Sequence, residues 1–536
     1  MARFDAAIER DGVEPDIASL PEPVQALIAA QAAKITEHEN TIARLREELD
    51  KRAQLIARLR AQLAKLRRMQ FGRSSERLDR AIHQIEVTLE DLEEQQAAAA
   101  DRLKQAAPPK ADTAAVKPVR RPLPDHLPRD VVTHVVACTC PGCGRPMQPI
   151  GEDLSEVLDY RPATFRVIRH VRPKYACRSC EKIAQAPAPS LPICRGRPTA
   201  GLLAHVLVAK YCDHLPLYRQ SGIYARSGIA LERSTLADWV GQSANLLRPL
   251  VDAVERHVMA GERLHADDTP VPVLAPGTGK TRTARLWTYV RDERPCASST
   301  APAVRYHYSA DRRGEHPRGH LARFRGVLQA DGYSGFGGLY DGERVCEAAC
   351  WAHVRRKFYD IDVAQQSPLA REALERIGAL YDLERQINGK PPDLRRQVRQ
   401  TEARPLIEAL HRWFTTTLQR VSGRSDIAGA IRYALSRWEA LTRYLDDGRL
   451  AIDNNAAERS IRPLALGRKN WLFAGSDSGG ERAAAIYSLI ETAKLNGWNP
   501  EAYLRHVLER IADHPVNRVA ELLPWNIGTE PRSAAV

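Results

Sequence analysis

Residues 263–271, Arg-Leu-His-Ala-Asp-Asp-Thr-Pro-Val, and residues 326–333, Gly-Val-Leu-Gln-Ala-Asp-Gly-Tyr, decide how the middle of this chain is read. Each is an apolar run of strand length that carries a carboxylate, Asp267 within the first and Asp331 near the end of the second. Between them, residues 285–291 alternate as a second strand does, residues 304–309 read as a third, and residues 315–324 read as a helix. Residues 345–353, ending Ala-Ala-Cys-Trp-Ala-His, then read as a fifth strand.

Three meandering strands, a helix and two more strands form the order of a ribonuclease H-like core. In that order the first and fourth strands are neighbours, so Asp267 and Asp331 are expected to meet at one end of the sheet. A third carboxylate is expected from a later helix. Residues 453–463, Asp-Asn-Asn-Ala-Ala-Glu-Arg-Ser-Ile-Arg-Pro, supply it: Asp453 or Asn454 can cap a helix, and Glu458 falls about a turn inside. The intervening 355–449 is mostly helical in pattern and reads as an insertion. Carboxylates suit hard cations. Two Mg²⁺ ions about 4 Å apart can activate a water or a 3′-hydroxyl and stabilise a leaving oxygen in phosphodiester cleavage. Asp268 follows Asp267 directly, and adjacent strand residues point to opposite faces, so only one of the two is expected to bind metal.

Outward from this core the chain carries recognition and assembly elements. Ile28, Ile35, Ile42, Leu49, Ile56 and Leu63 recur every seven residues. Leu45, Leu59 and Leu66 fill matching d positions, while Gln31, His38 and Arg52 interrupt them. The spacing predicts a coiled coil and self-association. Residues 71–77 break that helix, and Ser74 or Ser75 can cap another. Pro108, Pro109, Pro118, Pro122 and Pro124 then mark a basic, semi-rigid linker. Cys140-Pro-Gly-Cys143 and Cys177-Arg-Ser-Cys180 are two C-x-x-C pairs, and four thiolates complete a tetrahedral, structural Zn²⁺ site. Cys138 is an alternative ligand. The Arg-rich, Val/Ile-rich segment between the pairs reads as a β-hairpin, and its Arg166, Arg169, His170, Arg172 and Lys174 suit phosphate contact. Residues 201–212, 217–226 and 233–240, with a turn at Gly228-Ile229, trace a helix-turn-helix. Ser234 is its expected N-cap, Arg233, Ser234 and Thr235 face DNA, and Leu236, Trp239 and Val240 pack inward.

The bulk numbers agree with this reading. The formal net charge of +13 points to a polyanionic partner, and 43% hydrophobic residues allow several cores over 536 residues. The N-terminus lacks an apolar signal region, and there is no run of about 18 apolar residues, so neither secretion nor a membrane span is expected. A cytoplasmic protein is expected, with its cysteines in a metal site rather than in disulfides.

Long motifs carry a family resemblance. Phe-Gly-Arg-Ser-Ser-Glu-Arg at 71–77, the two cysteine pairs, and the segments at 170–177, 213–220, 234–240, 265–271, 329–336, 350–358 and 453–473 together resemble the insertion sequence 66 family of bacterial DDE transposases over nearly the whole chain. The resemblance implies Asp267, Asp331 and Glu458 as the catalytic triad with Mg²⁺ or Mn²⁺, and cleavage and strand transfer on the element's terminal inverted repeats. It implies double-stranded DNA as partner, nucleoid association through it, and small accessory proteins of the same element. Many members carry Glu where Asp268 stands. Arg355 and Arg356 after the fifth strand, and Arg459, Arg462, Arg468 and Lys469 around Glu458, are the expected phosphate contacts. The rival readings are a DNA-binding regulator with an idle core and a ribonuclease H-like nuclease without strand transfer. The expected units are a coiled coil and following helix (24–98), a linker (99–129), a zinc ribbon (130–192), and a helix-turn-helix unit (200–258). After them come the first part of the core (259–354), the helical insertion (355–449), the second part of the core (450–498), and a C-terminal helix and tail (499–536).

Overall fold

The computed structural model describes residues 21–69, 92–93, 95–96, 99–100, 123, 125, 127–134, 145, 148–161, 164–178, 180–194, 196–275, 278, 280–471 and 473–528. The 71–77 motif, most of the linker and the Cys140/Cys143 pair lie outside the described residues. The chain is a mixed α+β protein with two mixed sheets.

Helix α1 (Glu22–Met69) is 48 residues long. Its heptad stripe is only partly covered, with Ile56 buried and Ile35 57% exposed. The first sheet contains β1 (Arg129–Thr133), β2 (Gln148–Arg161), β3 (Thr164–Ala176) and β4 (Ile183–Gln185), with β3 pairing all three others. The expected hairpin is β2–β3. Its basic strand differs from expectation. Arg166 pairs with Asp130 at 2.9 Å, Arg169 with Glu156 at 2.7 Å, and Lys174 and Arg172 with Asp153 at 2.6 and 3.3 Å. Acids on the neighbouring strands therefore already answer the charges that suggested phosphate contact.

Three helices follow: α2 (Ala200–Tyr211), α3 (Leu217–Arg226) and α4 (Arg233–Met259). The hydroxyl of Thr199 caps α2 through the Leu202 amide, and Gly228 makes the turn before α4 at φ +79°, where a side chain would be strained. Ser234 is not the cap. Helix α4 already begins at Arg233, with Glu232 in the capping position and no side-chain cap. Leu236, Trp239 and Val240 are buried as their spacing requires.

The second sheet has the order β7-β6-β5-β8-β9, built from β5 (Arg263–Ala275), β6 (Lys280–Arg291), β7 (Ala303–Ser309), β8 (Gly326–Ala330) and β9 (Val345–Ala348). The first three strands are antiparallel, while β8 and β9 run parallel to β5. The helix between β7 and β8, α5 (Glu315–His320), is shorter than expected. The fifth strand is shorter too. After Ala348 the backbone amides of Ala349 and Trp351 bond to the carbonyls of Ala440 and Ile452, outside the sheet, and α6 (Trp351–Gln365) begins. His353 therefore lies in the first turn of a helix, not on a strand.

Helices α6, α7 (Pro368–Gln386), α8 (Arg404–Arg420) and α9 (Asp426–Leu435) build a separate apolar core around Trp351, Phe358, Ile377, Phe414 and Ile431. The chain then returns to the sheet through α10 (Asn455–Trp471) and α11 (Asp477–Leu495), and ends in α12 (Pro500–Leu508) and a short 3₁₀ turn. Helix α10 packs on β5 and β6, and α11 on β7. Arg399, 1% exposed, joins the insertion together: its guanidinium meets both Glu384 oxygens at 2.7 Å and donates to the carbonyls of Tyr444, Asp447 and Leu450. Arg395, also buried, reaches the same carboxylate at 3.5 Å. Removing the one carboxylate strands two buried cations. Glu384→Ala is therefore expected to destabilise the chain by about 3–5 kcal/mol, read as a lowered midpoint in urea unfolding.

Candidate active site at the β5–β8 edge

The parallel register pairs Ala266 with Ala330, one residue before each acid, so Asp267 and Asp331 lie side by side where β5 and β8 meet. Neighbouring strands are about 4.8 Å apart. Glu458 comes from the first turn of α10. The charges feel one another: burial and then the nearby carboxylates of Asp331, Asp268 and Glu458 push the Asp267 carboxyl from 3.8 up to about 7, against the pull of the Asp268 amide, which donates to Asp267 Oδ1 at 2.7 Å. Asp331 and Glu458 are thus near enough for their charges to act on Asp267.

Asp268 has a different environment. Its carboxylate is fully covered and is held by Arg285 at 2.9 Å and Arg312 at 2.7 Å. Two guanidiniums already satisfy it, whereas Asp267 has no salt bridge among the described residues. Arg312 also approaches Asp331 to 3.9 Å and stacks over the Tyr333 ring, 3.9 Å from its centroid. Nothing in the local sequence marks Arg285 or Arg312. Their partner is the neighbour of a motif residue, reached only through strand register and the turn after β7.

Asn454 sets where α10 begins. It is fully buried, its Nδ2 donates to the Ala266 carbonyl at 2.8 Å, and its Oδ1 lies 3.1 Å from His265 Nδ1. Because Oδ1 accepts, the neutral His265 ring carries its proton on Nδ1, and burial holds that ring's pKa down at about 4. The Asn454 amide meets Cys350 Sγ at 3.2 Å, and its carbonyl takes the amides of Ala457 and Glu458. One residue therefore connects the strand of Asp267, the end of β9 and the helix of Glu458. The sequence showed Asn454 as a possible cap, but not the link across to β5. Asp453 instead bonds to the Asn455 amide and side chain.

The other expected contacts separate by environment. Arg459 and Arg462 are exposed on α10. Arg468 is half-buried and donates to the Pro270 carbonyl, so it holds α10 to β5 rather than standing free for phosphate. Lys469 lies on α10, with its side chain outside the described residues. Arg355 and Arg356 are exposed on α6, with Arg356 3.1 Å from Asp360. Arg233, Ser234 and Thr235 are half-buried, and Arg233 meets Glu93 at 3.3 Å. Cys177 is buried and Cys180 half-buried on a tight turn closed by the Cys177 and Glu181 amides. Two thiols on such a turn fit half of a tetrahedral thiolate site, for which Cys140 and Cys143 lie outside the described residues.

Comparison with known proteins agrees with this arrangement of parts. The family description "Transposase IS66 family" matches residues 195–482, its C-terminal element residues 488–525, and its zinc-finger binding domain residues 137–181. A further match, "Transposase C of IS166 homeodomain", covers residues 58–132. The chain belongs to the IS66 transposase family, a family of DNA-processing enzymes. Among its relatives, the uncharacterized protein y4hP of Sinorhizobium fredii is 43% identical over 88% of each chain. The uncharacterized protein y4qI of the same organism is 40% identical over 95% of this chain and 98% of that one. The uncharacterized protein YuaK of Escherichia coli is 49% identical over a 50-residue segment, 9% of this chain and 53% of YuaK. Among the described residues, no helix is long and apolar enough to cross a membrane.

Two outcomes follow from this geometry. The folded chain keeps the Asp267 proton up to about pH 7, whereas the unfolded chain releases it near 3.8. Stability therefore falls as pH rises between those values, and the cost is fully present above the folded value. Asp267→Asn removes that cost. It is expected to raise stability at pH 8 by roughly 1–2 kcal/mol after allowance for solvent screening, with little change near pH 4. Mg²⁺ is expected to raise the melting temperature of the wild type at pH 8, but not that of the variant. Asn454→Ala removes the bonds that seat α10 on β5 and leaves the buried Ala266 carbonyl unpaired, and is expected to destabilise the chain by about 1–3 kcal/mol, read as a lowered midpoint in urea unfolding.

Proposed function

We propose that this chain is a DDE transposase. Its five-stranded sheet is a ribonuclease H-like core, Asp267, Asp331 and Glu458 hold two divalent cations, and its substrate is the double-stranded DNA of the element's ends and of a target. The observation that carries the proposal is that Asp267 and Asp331 lie side by side where β8 pairs with β5, with Glu458 in the first turn of the returning helix and the Asp267 carboxyl raised by burial and by the charges of its neighbours. The antiparallel β7-β6-β5 meander, with β8 and β9 parallel to β5, supports the assignment of the core.

The donor set fits Mg²⁺ or Mn²⁺, since the three converging groups are hard oxygen ligands. Such ions, when bound, supply activation of a water or 3′-hydroxyl and stabilisation of the leaving oxygen. The chain's own residues do the rest. Asn454 fixes the start of α10, which carries Glu458, against β5, the strand of Asp267. Arg285 and Arg312 neutralise Asp268, so its charge does not compete for the ions. Arg312 stands at the mouth of the cluster beside Asp331, where a cation can meet a phosphate. Arg459, Arg462, Arg355 and Arg356 lie exposed on the two helices that follow the site, and suit backbone contacts that position DNA. The thiolates of Cys140, Cys143, Cys177 and Cys180 hold a structural Zn²⁺. The uncovered stripe of α1 joins protomers as a coiled coil.

The test is strand cleavage and joining on a DNA fragment carrying the element's end, with Mg²⁺ and a target plasmid. Wild-type protein, with the element's other products added if it is inactive alone, is expected to nick the end and transfer it. Asp331→Ala and Glu458→Ala are expected to bind the fragment and do neither. Cleavage retained by both variants, or binding without cleavage by the complete wild-type mixture, would refute the triad.

A further inference from the structure

Next to the oxygen-rich cluster lies a group of different chemistry. Cys350 stands in the N-cap position of α6, His353 sits in its first turn, and Glu458 lies beside both on α10. One ligand atom of each lies within 4.8 Å of the others, and His353 Nδ1 is already 3.8 Å from Glu458 Oε1. In a tetrahedral site with bonds of about 2.0–2.3 Å, the ligand atoms stand roughly 3.3–3.8 Å apart, so small side-chain rotations close the triangle. Two further observations point to a ligand. His353 Nδ1 is buried and has no hydrogen-bond partner among the described residues, an unusual condition for a ring nitrogen. Cys350 Sγ accepts the Asn454 amide at 3.2 Å and the His353 amide as well, two bonds that fix where the sulfur stands beside His353 and Glu458.

We propose that Cys350, His353 and Glu458 form a second metal site, selective for borderline and soft divalent ions such as Zn²⁺ or Co²⁺, and inhibitory because it takes Glu458 from the oxygen-ligand ions. The inhibitory part rests on the proposed function above; the binding part does not. Sulfur, imidazole and carboxylate together suit Zn²⁺ and Co²⁺ and disfavour Mg²⁺. Binding releases the Cys350 thiol proton to solvent and involves no redox change.

Full-length protein carrying Zn²⁺ at its cysteine knuckles is titrated with Co²⁺, which binds thiolate sites more weakly than Zn²⁺ and leaves the knuckles filled. Wild type is expected to develop a sulfur-to-cobalt charge-transfer band saturating at one equivalent. The band is expected to vanish in Cys350→Ser and to need at least 10-fold more Co²⁺ in His353→Ala, with both variants checked for a native circular dichroism spectrum. In the cleavage assay, Zn²⁺ is expected to inhibit wild type competitively with Mg²⁺, and to inhibit His353→Ala at least 10-fold less relative to its own uninhibited rate. A band of equal size in folded Cys350→Ser, no band in wild type at millimolar Co²⁺, or full Co²⁺ affinity in His353→Ala would overturn the site. A normal band without Zn²⁺ inhibition of an active enzyme would overturn only the inhibitory role. Absence of cleavage with any metal would count against the proposed function while leaving the binding result to stand.

Discussion

Carboxylates gathered where β8 meets β5 repel one another, and repulsion in a half-buried place costs stability. Most of the centre of this protein can be understood as the apparatus that tolerates that cost. Asp267 takes the strain most directly, with a carboxyl held near neutrality by burial and by its neighbours. The adjacent Asp268, whose charge also acts on Asp267, is paired with Arg285 and Arg312. The third charge is carried on a helix whose start is anchored by a buried asparagine rather than by a second strand. Such anchoring is needed because a helix free to slide along the sheet would relax away from like charge.

The insertion serves the same end by a different route. Between β9 and α10 the chain leaves the sheet for about 100 residues and must return in register. A separate apolar core around Phe358 and Phe414, and the buried Arg399–Glu384 contact, give this excursion rigidity of its own. The backbone bonds from Ala349 to Ala440 and from Trp351 to Ile452 then close its neck. The point at which β9 gives way to α6 is therefore fixed from both sides, and this fixes where His353 and Cys350 stand relative to Glu458.

The recognition parts show how charge read along a chain differs from charge placed in space. The strand rich in arginine and lysine between the cysteine pairs looked available for phosphate. Its neighbours carry Asp130, Asp153 and Glu156 in register, and they satisfy most of it. Arg468 and Arg233 are likewise occupied, whereas Arg459 and Arg462 remain exposed. Positive charge counts toward an anionic partner only where the fold has not already spent it on its own acids and carbonyls.

By itself the sequence determined the strand meander and the short helix at Leu217–Arg226, and it singled out Asp267, Asp331, Glu458 and the two cysteine pairs as candidates. These depend on local periodicity and on rare residue types at fixed spacing, both of which are properties of the chain read in order. Only the tertiary structure decided that Asp268 is neutralised, that Asn454 reaches across to Ala266, that His353 begins a helix and that the basic strand is internally paired. Each of those depends on which residues meet across tens or hundreds of positions. Such meetings follow from strand register and from the path of the insertion, and no local pattern encodes them.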